Sequence, residues 1–268
     1  MRFSSLSEVQ LTYMIKTKTT QDIEKLAEGG RRLSGILSDL ANACKPGLAV
    51  KDLNNLVQGM IADEDEAAFF DYQPSGAPRP YPSHVCVSVN DAIVHGIPSE
   101  SDYVLADGDV VTVDMGLLHD GLITDSAQTI VVGKSTQEKD DLLETCRAAL
   151  YAGIDAITPG GHVGDISEAI QKRVGDDYAI FRELVGHGVG YSVHEDPAVP
   201  NYGKAGTGPK LPVGTVIAIE PMIGLGGSEV LADSDGYTYR TNDGSLSAHF
   251  EHTVAVTPAG TRILTESR

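Results

Sequence analysis

Four acids stand out by their place in the chain. Asp114 ends the run Val110-Val111-Thr112-Val113-Asp114, and Glu220 ends Val216-Ile217-Ala218-Ile219-Glu220. Asp125 precedes Ser126-Ala127-Gln128-Thr129-Ile130-Val131, and Glu251 precedes His252-Thr253-Val254-Ala255-Val256. In an extended chain alternate side chains share a face, so Asp114 lies with Thr112 while Val111 and Val113 point into a core. An ionised acid at the end of a buried apolar strand is costly unless it is paired or metal-bound. Four such acids in one cleft would repel, and several would take up protons. Divalent cations are the natural compensation. His187, between glycines in Val185-Gly186-His187-Gly188-Val189-Gly190, is the candidate imidazole. Glycines there let backbone or substrate come close. Carboxylates with one imidazole suit Mn²⁺, Fe²⁺, Co²⁺ or Zn²⁺ and argue against a thiolate site.

Two more histidines have suggestive surroundings: His95 in Val94-His95-Gly96-Ile97-Pro98 and His194 in Val193-His194-Glu195-Asp196-Pro197. His84, His119, His162 and His249 have no comparable context and read as structural or solvated. His252 is intermediate, because it adjoins Glu251.

The elements that must carry these residues come in two matching sets. Thr19 with Asp22 is a capping-box pattern, and Ile23, Leu26, Leu33, Ile36, Leu37 and Leu40 then recur at helical spacing. Pro46-Gly47 ends that helix. A second has Leu53, Val57 and Ile61 on one face, and the acidic stretch Asp63 to Glu66 reads as its solvated end. Residues 71–82, rich in Pro, Gly and Tyr, read as a loop, and Val85 to Val89 as a strand. A further helix is expected from Ser135, with Glu138 completing a capping box. Leu142, Leu143, Cys146, Leu150 and Ile154 mark its apolar face, and Pro159-Gly160 its end. Another helix covers about 164–174, and short strands fill the chain from Val216 onward.

Pro46-Gly47-Leu48-Ala49-Val50-Lys51-Asp52-Leu53 matches Pro159-Gly160-Gly161-His162-Val163-Gly164-Asp165-Ile166. Leu105 to Asp114 aligns in the same way with Leu211 to Glu220. Two matches in the same order point to a duplicated α+β unit. Each half is barely large enough for its own core, so one domain with an internal pseudo-two-fold axis is expected. Its halves fall at about 14–134 and 135–268, after a loose N-terminal tail at 1–13, with Met14 a second candidate start.

Composition narrows the function. The net charge of −18, from 38 acidic and 20 basic residues, repels phosphate backbones and argues against a nucleic-acid partner. No apolar run reaches the ~20 residues of a membrane helix. Three scattered cysteines, Cys44, Cys86 and Cys146, form neither a disulfide framework nor a zinc pattern. Residues 1–13 lack the apolar core of a secretory signal. Both point to the cytoplasm, and nothing suggests an oligomer beyond a monomer.

Taken together, residues 85–98 (VCVSVNDAIVHGIP), VDMG with Asp114, TDSA with Asp125, VGHGVG, VHEDP, AIEPM and SLSAHFEHT resemble the type I methionine aminopeptidases. The resemblance covers the chain from about residue 14 to the end, and its motifs come in family order. It implies an α+β pita-bread fold, with two pseudo-symmetric halves around an antiparallel sheet and helices on the outer face. It implies a metallo-exopeptidase that removes the first methionine from nascent proteins and peptides, prefers a small second residue and meets its substrates at or near the ribosome. Asp114, Asp125, His187, Glu220 and Glu251 fall on the family's ligands for two divalent ions (Co, Mn, Fe or Zn). Asp125 and Glu251 would bridge, Asp114 would hold one ion, and His187 with Glu220 the other. A shared, acidified water would attack the first peptide carbonyl, and one ion would take the free amine. His95 and His194 fall on the two active-site histidines that are not ligands. His194 would steady the carbonyl oxygen, His95 would contact the scissile amide nitrogen, and Glu220 would pass the water proton to the leaving amine. Tyr81, Cys86, Val193 and Tyr237 are the expected walls of the methionine pocket, though Cys86 reads equally well as plain core.

The short span between His187 and Glu220 leaves no room for the helical insertion of type II enzymes. Two departures touch the pocket. Tyr237 stands where many bacterial members carry Trp, and the loop before Tyr81-Pro82 is Pro-rich and longer than usual. Proline-specific dipeptidases share the fold and ligands but usually carry a substantial added N-terminal domain. A non-catalytic binding module of this fold is a third reading; it would have no reason to keep all seven groups.

Overall fold

The computed structural model describes residues 14–266, so the expected tail at 1–13 lies outside the described residues. Thr19 caps α1 (Thr20–Ala43). The Thr19 hydroxyl accepts from Asp22 N at 3.1 Å, and the Asp22 carboxylate accepts from Thr19 N at 3.0 Å. This reciprocal pair satisfies two donors that a bare helix end leaves orphaned. α2 (Val50–Gln58) buries Leu53 and Val57, and Ile61 falls beyond its end. α3 (Gln137–Asp155) begins later than Ser135 suggests. Thr136 is its N-cap residue, with no side-chain cap bond, and the Ser135 hydroxyl donates instead to the Thr136 carbonyl at 3.3 Å. The expected Ser135–Glu138 box is therefore not formed. α4 (Val163–Val174) buries Ile166 and Ile170.

The strands, in chain order, are β1 (Asp65–Ala67), β2 (Cys86–Val89), β3 (Ala92–Val94), β4 (Val110–His119), β5 (Leu122–Val131), β6 (Ala179–Ile180), β7 (Val185–Gly188), β8 (Glu195–Pro200), β9 (Val216–Ile219), β10 (Met222–Gly224), β11 (Val230–Ala232), β12 (Tyr239–Thr241), β13 (Ser247–His249), β14 (Glu251–Thr257) and β15 (Gly260–Ile263). The main sheet runs β1-β4-β5-β14-β9-β7-β8, with β2 on β4 and β15 on β14, all antiparallel. Two three-stranded sheets, β13-β10-β6 and β11-β12-β3, flank it.

β1 corrects the reading of Asp63 to Glu66 as a solvated helix end. Asp65 is buried against Arg32 Nη1 at 3.0 Å and His119 Nδ1 at 2.6 Å, so its charge is compensated rather than solvated. The β4–β5 hairpin turns at Asp120-Gly121, whose φ angles of 48° and 79° match the two-residue turn that Asp-Gly favours. Asp114 therefore sits in mid-strand rather than at a strand end, and Asp125 sits three residues into β5.

Matched segments make matched bonds. Gly47 N donates to Leu105 O and Leu105 N to Leu48 O, each at 2.8 Å. Gly160 N donates to Leu211 O and Leu211 N to Gly161 O, also at 2.8 Å. Each half has its own apolar layer under the helices. Val111, Val113, Met115 and Leu117 of β4 pack with Leu33, Leu37, Leu53 and Val57. Ile217, Ile219, Val254 and Val256 pack with Leu142, Leu150, Ile166 and Ile170. Strand alternation then turns Thr112 and Asp114 to the opposite face of the sheet. Among the described residues no helix is long and apolar enough to cross a membrane.

Candidate metal centre

Strand register assembles the acids. Ala127 of β5 pairs with Asp114 on one side and with Glu251 on the other. Asp125 is two residues from Ala127 and so shares its face. On the far side β9 pairs His187 of β7 with Ala218, and Glu220 follows β9 directly. Pro221 ends that strand, since it has no N–H to continue the ladder. Donor atoms of Asp125, His187 and Glu251 lie within 4.8 Å of one another. His187 Nε2 is 3.4 Å from Glu220 Oε1 and 4.0 Å from Asp125 Oδ2. Asp114 lines the same cleft, of about 410 Å³.

The glycines beside His187 serve the backbone. A Cβ on Gly186 would lie 2.4 Å from the Ala218 carbonyl oxygen, and one on Gly188 would lie 2.3 Å from that of Asp196. They let three strands close on the histidine. His187 Nδ1 lies 2.9 Å from the Gly188 carbonyl, so its proton is held there and Nε2 keeps a free lone pair.

The electrostatics are those of carboxylates crowded into a buried site. Burial pushes the Asp125 carboxyl up to about 7. Burial first and neighbouring carboxylates second push Asp114, Glu220 and Glu251 well above the usual range. Burial and the nearby His194 hold His187 down at about 3 and His95 at about 4, so both imidazoles are neutral. Asp114 Oδ1, Asp125 Oδ1 and Glu251 Oε1 are buried with no hydrogen-bond partner. Buried oxygens are rarely left so. Carboxylates around one neutral imidazole with a free Nε2 fit a borderline or hard divalent ion.

His194 and His95 line the cleft with these groups. The His194 ring meets the His187 ring edge-on, centroids 4.4 Å apart, and its Nδ1 is 3.0 Å from the Tyr72 hydroxyl. His95 sits in a tight turn at φ 59° before Gly96, where a Cβ would come 2.2 Å from the Val87 carbonyl oxygen. Tyr81, Cys86, Val193 and Tyr237 all reach the same cleft. Tyr81 and Tyr237 meet edge to face at 5.1 Å and, with Cys86 and Ile97, form an apolar cluster at one end. Cys86 is therefore both core and cleft wall. The Tyr81 hydroxyl is anchored on the Gly96 carbonyl at 2.8 Å, and that of Tyr237 on the Arg79 carbonyl.

One cleft residue and one buried neighbour of the acids escape the sequence reading. Tyr72 belongs to the Pro-rich loop and follows no periodic pattern. His249, read above as structural or solvated, is buried with its Nε2 3.7 Å from Glu220 Oε2 and 3.9 Å from Glu251 Oε2. The signal was its spacing, since His249 and Glu251 are two apart and share a face in an extended chain. His252 falls on the other face. Its Nδ1 meets the Thr265 hydroxyl at 2.9 Å, away from the acids.

The model of metallopeptidase family M24 matches residues 24–258. The chain belongs to that family. It is 41% identical to a methionine aminopeptidase of Aquifex aeolicus, over 94% of this chain and 99% of that one. It is 38% identical to methionine aminopeptidase 1 of Bacillus subtilis, over 94% and 99%. Among solved structures, a methionine aminopeptidase from Thermotoga maritima superposes with a TM-score of 0.89 at 39% identity, covering 95% of this chain and 100% of that one. A prolidase from Pyrococcus furiosus, 22% identical, shares the fold with a TM-score of 0.70, and this chain spans 66% of it. The M24 chain is thus a metal-dependent peptidase with the α+β pita-bread fold.

Proposed function

We propose that the protein is a methionyl aminopeptidase that removes the N-terminal methionine from nascent proteins and peptides in the cytoplasm, preferring a small second residue. The observation that carries this is the cluster of unpartnered buried carboxylate oxygens around a neutral His187, beside an apolar pocket closed by Tyr81, Cys86, Val193 and Tyr237. We assign Asp114, Asp125, His187, Glu220 and Glu251 as ligands of two divalent ions from Co, Mn, Fe or Zn. Such ions, when bound, acidify a water and polarise a carbonyl.

The chain's own groups then divide the work. His187 offers Nε2 because Gly188 holds its other proton. With the Tyr72 hydroxyl, 3.0 Å away, as donor to His194 Nδ1, the His194 proton sits on Nε2. From there it hydrogen-bonds the substrate carbonyl oxygen as negative charge grows on it. His95, neutral and locked in its turn, contacts the scissile amide nitrogen. Glu220 takes a proton from water and passes it to the leaving amine, and its upward-shifted pKa suits a group that both accepts and gives. A thioether side chain packs against the Tyr81–Tyr237 pair and Cys86. The acidic surface attracts the cationic amine of a chain end. We further propose that residues 14–268 form one catalytic domain of two pseudo-symmetric halves and act as a monomer, with ribosome-borne chains among the substrates.

The test is release of methionine from Met-Ala, Met-Gly, Met-Leu and Ala-Pro peptides by the chelated protein after each ion is added back. Rapid cleavage of Met-Ala and Met-Gly only is expected. Cleavage of Ala-Pro alone would assign the protein to the proline-specific dipeptidases, and no cleavage with any ion would make it a binding module.

A further inference from the structure

Glu220 lies between two imidazoles. Its Oε1 is 3.4 Å from His187 Nε2, and its Oε2 is 3.7 Å from His249 Nε2. His249 Nε2 is also 3.9 Å from Glu251 Oε2. His249 is 1% exposed, and neither ring nitrogen has a hydrogen-bond partner. Two orphan nitrogens in a closed site are expensive, and a plain core position would not select them. The backbone beneath the ring is fixed. His249 N donates to Thr129 Oγ1 at 2.9 Å, and that hydroxyl donates to His249 O at 2.6 Å. On its other edge β13 pairs His249 with Met222 of β10. The ring is thus held against the carboxylates from both sides.

We infer that His249 is a positioning residue of the metal centre: with its proton on Nε2 it donates to Glu220 Oε2, with Glu251 Oε2 as the alternative acceptor. This rests on the two-metal peptidase reading above. The oxygen His249 faces is the one turned away from His187. A donor there fixes the carboxylate plane and leaves Oε1, on the His187 side, for the ion. A movement of under ~1 Å brings Nε2 to hydrogen-bond distance. Partners of this kind set the orientation and basicity of a ligand without touching the ion. His249 also ties together the two ligand glutamates, Glu220 just past the end of β9 and Glu251 at the start of β14.

The experiment is calorimetric titration of the chelated full-length protein with Co²⁺, with the visible absorption of bound Co²⁺ recorded alongside. H249Q keeps an N–H donor at the same reach, and H249M keeps bulk without a donor. H249M is expected to weaken Co²⁺ binding ~10–100-fold and to shift the absorption band. H249Q should restore most of both, and the metal-free unfolding midpoints should agree. Wild-type affinity and spectrum in H249M overturn the inference. So does H249Q as weak as H249M, which would make His249 a direct ligand. If H249M does not fold, H249N against H249Q carries the test, because Asn is a methylene too short, and equal affinities overturn the inference. A wild-type protein that binds no Co²⁺ fails at an earlier step and removes the metal reading itself.

Discussion

In the first half of the molecule β4 runs for ten residues and carries Asp114 at its middle. In the second half the matching strand, β9, stops after four residues, and Glu220 falls beyond it. Asp114 is flanked by paired strands on both sides, opposite Cys86 of β2 and Ala127 of β5. Glu220 has Pro221 after it, its carbonyl is held by Asn201 Nδ2 at 3.0 Å, and its carboxylate lies between His187 and His249. Both histidines come from the second half, whereas Tyr81 and Cys86 come from the first. The shared backbone clasp places both acids, and the departures from symmetry distribute the chemistry. The rigid copy holds, and the copy freed from its ladder carries the group proposed to move a proton.

The largest effects should come from the proposed ligands, one in each half. D125N and H187A should each abolish peptidase activity and lower metal content, by more than the ~10–100-fold typical of an outer partner. Full activity of either at limiting metal, measured with elemental analysis, would contradict the shared centre. Next come the cores. Leu53 and Ile166 are matched in sequence and both fully buried. L53A and I166A should each cost ~2–5 kcal/mol in urea unfolding. A loss in only one would show that the halves are unequal beneath the site.

A pH series tests the site as a whole. Burial holds Asp125 at about 7, and the other three acids are also raised. A carboxyl raised in the folded protein keeps its proton below that pH, and an ion must displace it. Apparent affinity should therefore climb as pH rises through about 7, by up to ~10-fold per unit for each proton displaced. Calorimetry in buffers of different ionisation enthalpy counts those protons. A flat profile would mean the acids are already ionised. The smallest effect separates two like-looking helix starts. T19A should cost ~0.5–2 kcal/mol, and S135A should stay within ~0.5 kcal/mol, because only Thr19 makes the cap.

Much of this architecture was legible because duplication repeats its own signal. The Pro-Gly turns, the helical periods and the acids on apolar runs each appear twice. What escaped depended on distant partners. Ser135 and Glu138 have the spacing of Thr19 and Asp22, yet the α3 backbone begins one residue later. Asp65 reads as solvated until Arg32 and His119 arrive from elsewhere in the chain. His249 reveals itself only if strand alternation is carried back across Phe250 from Glu251. Tyr72 sits in a loop without period, and only the fold brings it to His194.

Asp125 and Glu251 lie on β5 and β14, which meet at the middle of the sheet through Glu251–Ala127 and His252–Ser126. Any ion shared by Asp125 and Glu251 therefore spans the junction of the two copies. Ion occupancy and cohesion of the halves become one linked equilibrium. Removing the ion leaves the two paired positions, the hydroxyl clasps of Ser126, Thr129 and Thr253 and the apolar contacts across that line, so metal supply would set not just the rate of the enzyme but how firmly its two halves stay together.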